Sequence, residues 1–322
     1  MRGIEGAGVE VQQGTATVVG LDFAEPLPGV PDLAGRMAAP AVLVNRGHLD
    51  LSDSTITGAV GFAISIQNDG TAQLSGIELS HTASFDGEVT GVDLVVNSDA
   101  IVTAQGLTLL GPTSTGVGVQ GATLIASDMV LEPSTGFGIG AYEDGIIDLT
   151  GASITGRGGA ALVAFGDGAE VTADEVDIRE THRTESIKLA IAATGYGGTL
   201  HLSNARITDT EGVALSAENG HLDCTHCTVE GAKLAGVLIE NGTASLTDVR
   251  VRDVDPETTT GLALGVIVAA TGEGAATLEA DELDVLAGFG ALFVVNASAT
   301  VNDSVLESEG PIELLPGVWT HG

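Results

Sequence analysis

Apolar and polar residues alternate along this chain in a phrase that returns twelve times: apolar, any, apolar, two turn-formers, apolar, any, apolar. Leu49-Asp50-Leu51-Ser52-Asp53-Ser54-Thr55-Ile56 is one copy; others begin at Ala72, Ile147, Leu200 and Ala244, with fainter ones at Ala16, Val102, Leu124, Val171, Leu222, Leu278 and Ala299. Apolar residues two apart share one face of a strand, not of a helix. The polar couplet resets the alternation, so the strands on either side both point into one interior. Ser, Thr, Asn, Asp and Gly suit such a corner because they bond the local backbone or tolerate positive φ.

Upstream of most copies lies a further apolar stretch ending in a corner such as Asp69-Gly70, Asp144-Gly145, Asn219-Gly220 or Asn241-Gly242, giving three short strands per period. Asn-Gly and Asp-Gly pairs are usually hairpin signals, which makes an up-and-down barrel the competing fold. A barrel would not keep the double-strand phrase in register so often. Copies follow one another mostly at 22 to 24 residues, the length of one solenoid turn. The pattern predicts an all-β chain, a single-stranded right-handed parallel β-helix (β-solenoid) of about twelve turns, in which each turn depends on its neighbours for ladder hydrogen bonds and burial.

The phrase runs from Ala16 to Leu306 without a change of composition, so one domain spanning 1–322, with a repeat core of about 9–306, is expected. Aromatic residues are only 3% of the chain, which fits a narrow aliphatic interior and removes the stacking platforms on which sugars and bases usually sit. The net charge is −33, and Lys188 and Lys233 are the two lysines. Such a chain repels nucleic acid and anionic membranes. An acidic surface keeps a protein soluble; its functional rival is binding of divalent cations, so calcium is the one ion admitted and no other cofactor is expected. No apolar run reaches the ~20 residues of a membrane span, so direct membrane insertion is not expected. No signal peptide opens the chain, and both ends look cut, as in a segment of a longer protein with flanking domains.

Stacking turns each outward position into a column. The residue between the first two apolar ones runs Thr17, Asp50, Gln73, Thr103, Ile125, Asp148, Thr172, His201, Asp223, Ser245, Glu279, Thr300, a solvated face. The residue between the last two includes Asp177, Arg206, Thr228, Arg250 and Asp284, where opposite charges become neighbours that trim the surface. Longer intervals follow the phrases at Ala16, Ala72, Val171 and Ala244, and all four insertions fall at one corner: Ala24 to Ala39, Ser80 to Thr90, Arg179 to Ser186 and Arg252 to Thr260. Loops from one corner project on one side, where solenoids place binding groups. The candidate binding residues are therefore Arg179, His182, Arg183 and Glu185 in one loop and Arg252, Asp253, Asp255 and Glu257 in another. About three turns, or ~14 Å, separate the two loops, too far to share a small reacting centre unless they lean together.

Both cysteines lie in His221-Leu222-Asp223-Cys224-Thr225-His226-Cys227. A Cys-x-x-Cys spacing invites redox or zinc readings, yet both occupy inward slots equivalent to Leu202 and Ala205. Buried thiols acting as small hydrophobes come first, a disulfide in an oxidising compartment second, and a metal or redox role last. Outside the same turn His221 and Asp223 point outward beside His201; as metal ligands the trio would need a fourth group from His226 or water.

Laid out in turns, the chain resembles the right-handed parallel β-helix (pectin-lyase-like) superfamily, which includes pectate lyases, polygalacturonases, phage tailspikes and many bacterial surface proteins. The resemblance is one of repeat pattern. The Asn-Thr-Asp, Asp-Asp, Gly-His-Gly and Arg-Ile-Lys segments that mark polygalacturonases are missing, Gly47-His48-Leu49 and Ser186-Ile187-Lys188 being the nearest. No catalytic residue is carried over. Within that superfamily, the cut-looking ends, sparse aromatics, acidic polar surface and missing catalytic segments point to a non-catalytic structural or adhesive, binding β-helix segment of an exported bacterial protein, extracellular or on the cell surface, with a polysaccharide or protein partner. The alternative is an acidic-polysaccharide lyase or hydrolase with a groove beside the inserted loops.

Overall fold

The computed structural model describes residues 8–24, 40–82, 91–111, 115–185, 189–257 and 261–308. Residues 25–39, 83–90, 186–188 and 258–260, which hold most of two predicted insertions and the ends of the other two, lie outside the described residues, as do both terminal segments, 1–7 and 309–322. The chain divides into two compact units, residues 1–157 with 168–171 and residues 158–167 with 172–322.

In the first unit the upstream strands Val9–Gln12, Val42–Asn45, Phe62–Gln67, Val92–Asn97, Thr115–Gln120 and Ile139–Tyr142 pair in that order, each parallel to the next. The phrases form a second parallel ladder beside them, through His48–Thr57, Thr71–Ser80 and Ile101–Leu110. The second unit repeats the plan, with Ala160–Phe165, Ala190–Tyr196, Gly212–Glu218, Ala235–Glu240, Leu264–Ala269 and Gly290–Val295 in order. Its phrase ladder runs through Thr199–Ser203, His221–Thr225, Thr243–Val254, Thr277–Ala287 and Ser298–Asn302. Parallel pairing at one-turn separation excludes the up-and-down barrel, whose neighbours are antiparallel. Among the described residues there is no helix, so none is long and apolar enough to cross a membrane.

The couplet corner has one conformation throughout. Its second residue has positive φ in every copy, from 45° at Asp303 to 67° at Gly20, through Asp53, Gly76, Gly106, Asp128, Gly151, Glu175, Asn204, His226, Asp248 and Glu282. One left-handed residue adds an extra step to the pleat, so the alternation restarts with the same face inward. The ladder survives the step: the Asn204 N–H donates to the Thr225 carbonyl at 3.0 Å and the His226 N–H to that of Thr247 at 2.9 Å. Strands therefore run straight through the corner in five copies, as in His48–Thr57 and Thr243–Val254.

The predicted inward positions are buried in every copy but the first and the last, where Ala16, Val18, Ala299 and Val301 are half-buried and Leu306 is exposed. Leu49, Leu51, Ile56, Leu200, Leu202, Ile207, Val249 and Val251 are all buried. Ser54 fills an inward slot too, donating to the Ser52 carbonyl at 2.7 Å and accepting the Leu21 N–H at 3.0 Å. Cys224 and Cys227 are buried in their predicted slots and are joined to each other, Cα atoms 6.1 Å apart across the left-handed His226. The inward placement is as expected, but the pair is oxidised: the second reading, a disulfide, matches the structure, and the first, two free buried thiols, does not. Closing so short a loop removes little unfolded-state entropy.

Candidate functional site

The short third strand of the second unit carries Arg179, Arg206, Arg250 and Arg252. Successive turns contribute Asp177–Arg179, Arg206–Thr208, Thr228–Glu230 and the end of Thr243–Val254, stacked in register. One outward column reads Asp177, Arg206, Thr228, Arg250, Asp284, as predicted; a second, two residues along, reads Arg179, Thr208, Glu230, Arg252. Rows repeat at ~4.8 Å. The register is as predicted but one partner is not: Arg206 Nη2 lies 3.0 Å from Glu230 Oε2, while Asp177 is taken by Arg179. The hydrogen bonds and charge of Asp177 raise the Arg179 pKa. Asp284 accepts from Arg252, and Arg250 Nε lies 3.5 Å from the same Oδ2. Arg206 and Arg250 keep 57% of their side chains exposed, so these pairs present guanidinium donors and carboxylate acceptors side by side to solvent.

The corner loops do lean together. Arg183 donates its backbone N–H to Glu211 Oε2 at 3.0 Å, Nε to the Glu211 carbonyl at 2.8 Å and Nη1 to Glu257 Oε1 at 2.9 Å, tying residues 74 apart in sequence. The Glu257 side chain is only 5% exposed, and its N–H donates to the Leu262 carbonyl at 2.9 Å. A buried carboxylate must be paired, so Arg183 and Glu257 clamp the corner and are unsuited to take a ligand in its place. His182 accepts the Gly159 N–H at its carbonyl, 2.9 Å, and its Nδ1 lies 3.4 Å from the Glu180 carbonyl. Asp255 is pinned by its N–H to the Ala232 carbonyl at 2.8 Å; its side chain, like those of Glu185 and Asp253, is exposed. Sequence reasoning missed Glu211, whose role depends on the loop path.

His201, Asp223 and His221 do meet. His201 Nδ1 is 2.8 Å from Asp223 Oδ2 and His221 Nε2 is 2.9 Å from Oδ1. His226 turns elsewhere, its Nε2 3.7 Å from Asp248 Oδ2. Among the described residues no three His, Cys, Asp or Glu side chains are placed to hold a metal ion. The carboxylate thus bridges two imidazoles, and a cleft of about 420 Å³ opens here, lined by Thr172, His201, Leu202, Ser203, Asp223, Thr225 and Ser245.

Three further features escaped the sequence. Phe165 and Tyr196, exposed on adjacent turns, stack with ring centroids 5.1 Å apart, so scarce aromatics still form a pair. Beside them burial, then the charge of Glu240, raises the Glu218 pKa. In the first unit Arg157 is 1% exposed and, among the described residues, none of its side-chain nitrogens has a hydrogen-bond partner. Burial pulls its pKa down to about 10 against the opposing charges of Asp93, itself fully buried, and Glu132.

No family model matches the chain, and no curated protein matches its sequence. Solved structures do. The periplasmic alginate epimerase AlgG superposes with a TM-score of 0.56 at 7% identity, covering 81% of this chain and 69% of that one. A double mutant of the same epimerase gives 0.55 at 6%, covering 82% and 72%. PfbA, a surface adhesin of Streptococcus pneumoniae, gives 0.48 at 9%, covering 92% and 84%. With the AlgG superpositions and the one-turn parallel register, the chain has the fold of the right-handed parallel β-helix proteins.

Proposed function

We propose that this chain is a binding segment of an exported protein, extracellular or on the cell surface, and that its ligand is a polysaccharide laid along the arginine-bearing third-strand face of the second unit. The supporting observation is the pair of columns in which Arg179, Arg206, Arg250 and Arg252 alternate with Asp177, Glu230 and Asp284. Arg206 and Arg250 stand two turns apart on one column, a spacing that a repeating polymer can match, and adjacent guanidinium and carboxylate groups match the donors and acceptors of hydroxyls. The charge of −33 favours a neutral, hydroxyl-rich polymer; a polyanion would need calcium to bridge it. A Cys224–Cys227 disulfide suits the oxidising compartment that export implies. Binding to a polysaccharide panel, with and without calcium, tests the proposal. Arg206→Ala with Arg250→Ala is expected to weaken binding at least about tenfold, the ~1.5 kcal/mol of one charge-assisted hydrogen bond. Turnover of any polymer, reduced by changing Arg179, Arg183 or Arg252, would point to a lyase or hydrolase instead.

A further inference from the structure

A four-residue network on the outward face of the phrase strands occurs twice. In the first unit His48 Nδ1 is 2.8 Å from Thr71 Oγ1 and His48 Nε2 is 3.0 Å from Asp50 Oδ1, with Thr17 Oγ1 3.5 Å from Asp50 Oδ2. In the second, His221 Nδ1 is 2.6 Å from Thr243 Oγ1, Nε2 is 2.9 Å from Asp223 Oδ1, and His201 occupies the place of Thr17 on Asp223 Oδ2. The repeat explains the geometry: His and Asp two apart share one face of a strand, and the threonine is the register partner of the histidine one turn on.

The tautomer follows from the partners. A carboxylate only accepts, so Nε2 carries the proton, and in the neutral ring Nδ1 is then the acceptor of the threonine hydroxyl. A hydroxyl facing a general base that a carboxylate orients is the arrangement of an activated nucleophile. Thr243 is exposed and lies two residues from Ser245 on the same strand, and Ser245 lines the cleft together with Asp223.

We infer that Thr243 is a nucleophile for acyl transfer, with His221 as its general base and Asp223 as a positioning residue. Thr243 Oγ1 bonds to the carbonyl carbon of an ester while its proton passes to His221 Nδ1. The tetrahedral adduct breaks its bond to the leaving oxygen, which takes that proton. Water then attacks the acyl-threonine, giving its proton to His221, and the acid departs as the Thr243 hydroxyl is restored. That the natural ester is an O-acylated sugar rests on the polysaccharide reading; the chemistry at Thr243 does not, so a small ester tests it separately.

The experiment is incubation with p-nitrophenyl acetate, followed by peptide mapping and the rate of p-nitrophenolate release. Acetate is expected on Thr243, absent in Thr243→Val, which exchanges the hydroxyl for a methyl of similar size, and forming at least about 100-fold more slowly in His221→Gln, the lower end of the range for loss of a general base. Asp223→Asn, which should disturb the tautomer while keeping the shape, is expected to slow it too. Acetate that never appears on Thr243, or a rate unchanged in Thr243→Val and in a His221→Gln variant with the parent melting temperature, overturns the inference.

Discussion

At the couplet corner the first unit uses glycine in four of six copies, Gly20, Gly76, Gly106 and Gly151, whereas the second uses none, placing Glu175, Asn204, His226, Asp248, Glu282 and Asp303 there. The backbone is the same, with φ of 61° at Gly76 and 55° at Glu282. A left-handed residue with a Cβ costs roughly 1–2 kcal/mol relative to glycine, so the second unit trades local stability for side chains at its corners. The cations differ in the same sense. Those described in the first unit are the exposed Arg46 and the buried Arg157, while the second unit sets its arginines on the third-strand face and its corner loop. One repeat thus carries two chemistries, because the inward offsets fix the fold and leave the outward and corner positions to vary.

The largest expected effect lies inside the first unit. Arg157→Met should destabilise by about 3–5 kcal/mol, since it removes the positive charge that interacts with the buried Asp93 carboxylate. Adding Asp93→Asn should recover more than half of that in urea unfolding; additive losses would show that the two charges do not interact. In the second unit Arg183→Met should cost about 2 kcal/mol by removing the charge-assisted bond to the buried Glu257. Hydrogen exchange should quicken at residues 181–185 and 254–257, and an unchanged pattern would contradict the clamp.

Smaller effects sharpen the corner comparison. Glu282→Gly should stabilise by about 1 kcal/mol and Gly76→Ala should destabilise by as much. At Gly76 the nearest atom to an added Cβ is Asp53 Oδ1 at 3.3 Å, with Asp53 N and Cα at 3.9 and 4.0 Å, so the backbone rather than crowding sets the penalty. Equal responses at both corners would dissolve the contrast. The smallest effect concerns Glu218. Its folded-state pKa is raised, so the fold disfavours its ionised form. Its contribution is full below the ordinary carboxylate range and is lost as pH rises through the folded value. Glu218→Gln should therefore gain stability relative to the parent as pH rises through that window, and no relative change with pH would refute the assignment.

The columns were legible in the sequence because ladder register follows from the phrase: His201 opposite Asp223 and Arg250 opposite Asp284 are one-turn neighbours by arithmetic. The Arg183–Glu257 clamp was not, since it depends on loop paths outside the repeat. Arg157 escaped because a lone charge just after a phrase gives no sign of burial. The relays were half visible. His48-Leu49-Asp50 and His221-Leu222-Asp223 are the same tripeptide, each with a threonine one turn later, but only the second stood out, through its neighbouring cysteines.

The most direct test of the central claim is calorimetric titration of a neutral polysaccharide, chosen as the best binder in the panel, into the parent chain and into the Arg206→Ala, Arg250→Ala variant. The account predicts saturable binding to the parent, weakened at least about tenfold in the variant while melting stays unchanged, since exposed ion pairs contribute only ~0–1 kcal/mol to stability. Binding of equal strength in both, or no binding by the parent to any polymer with or without calcium, would contradict it.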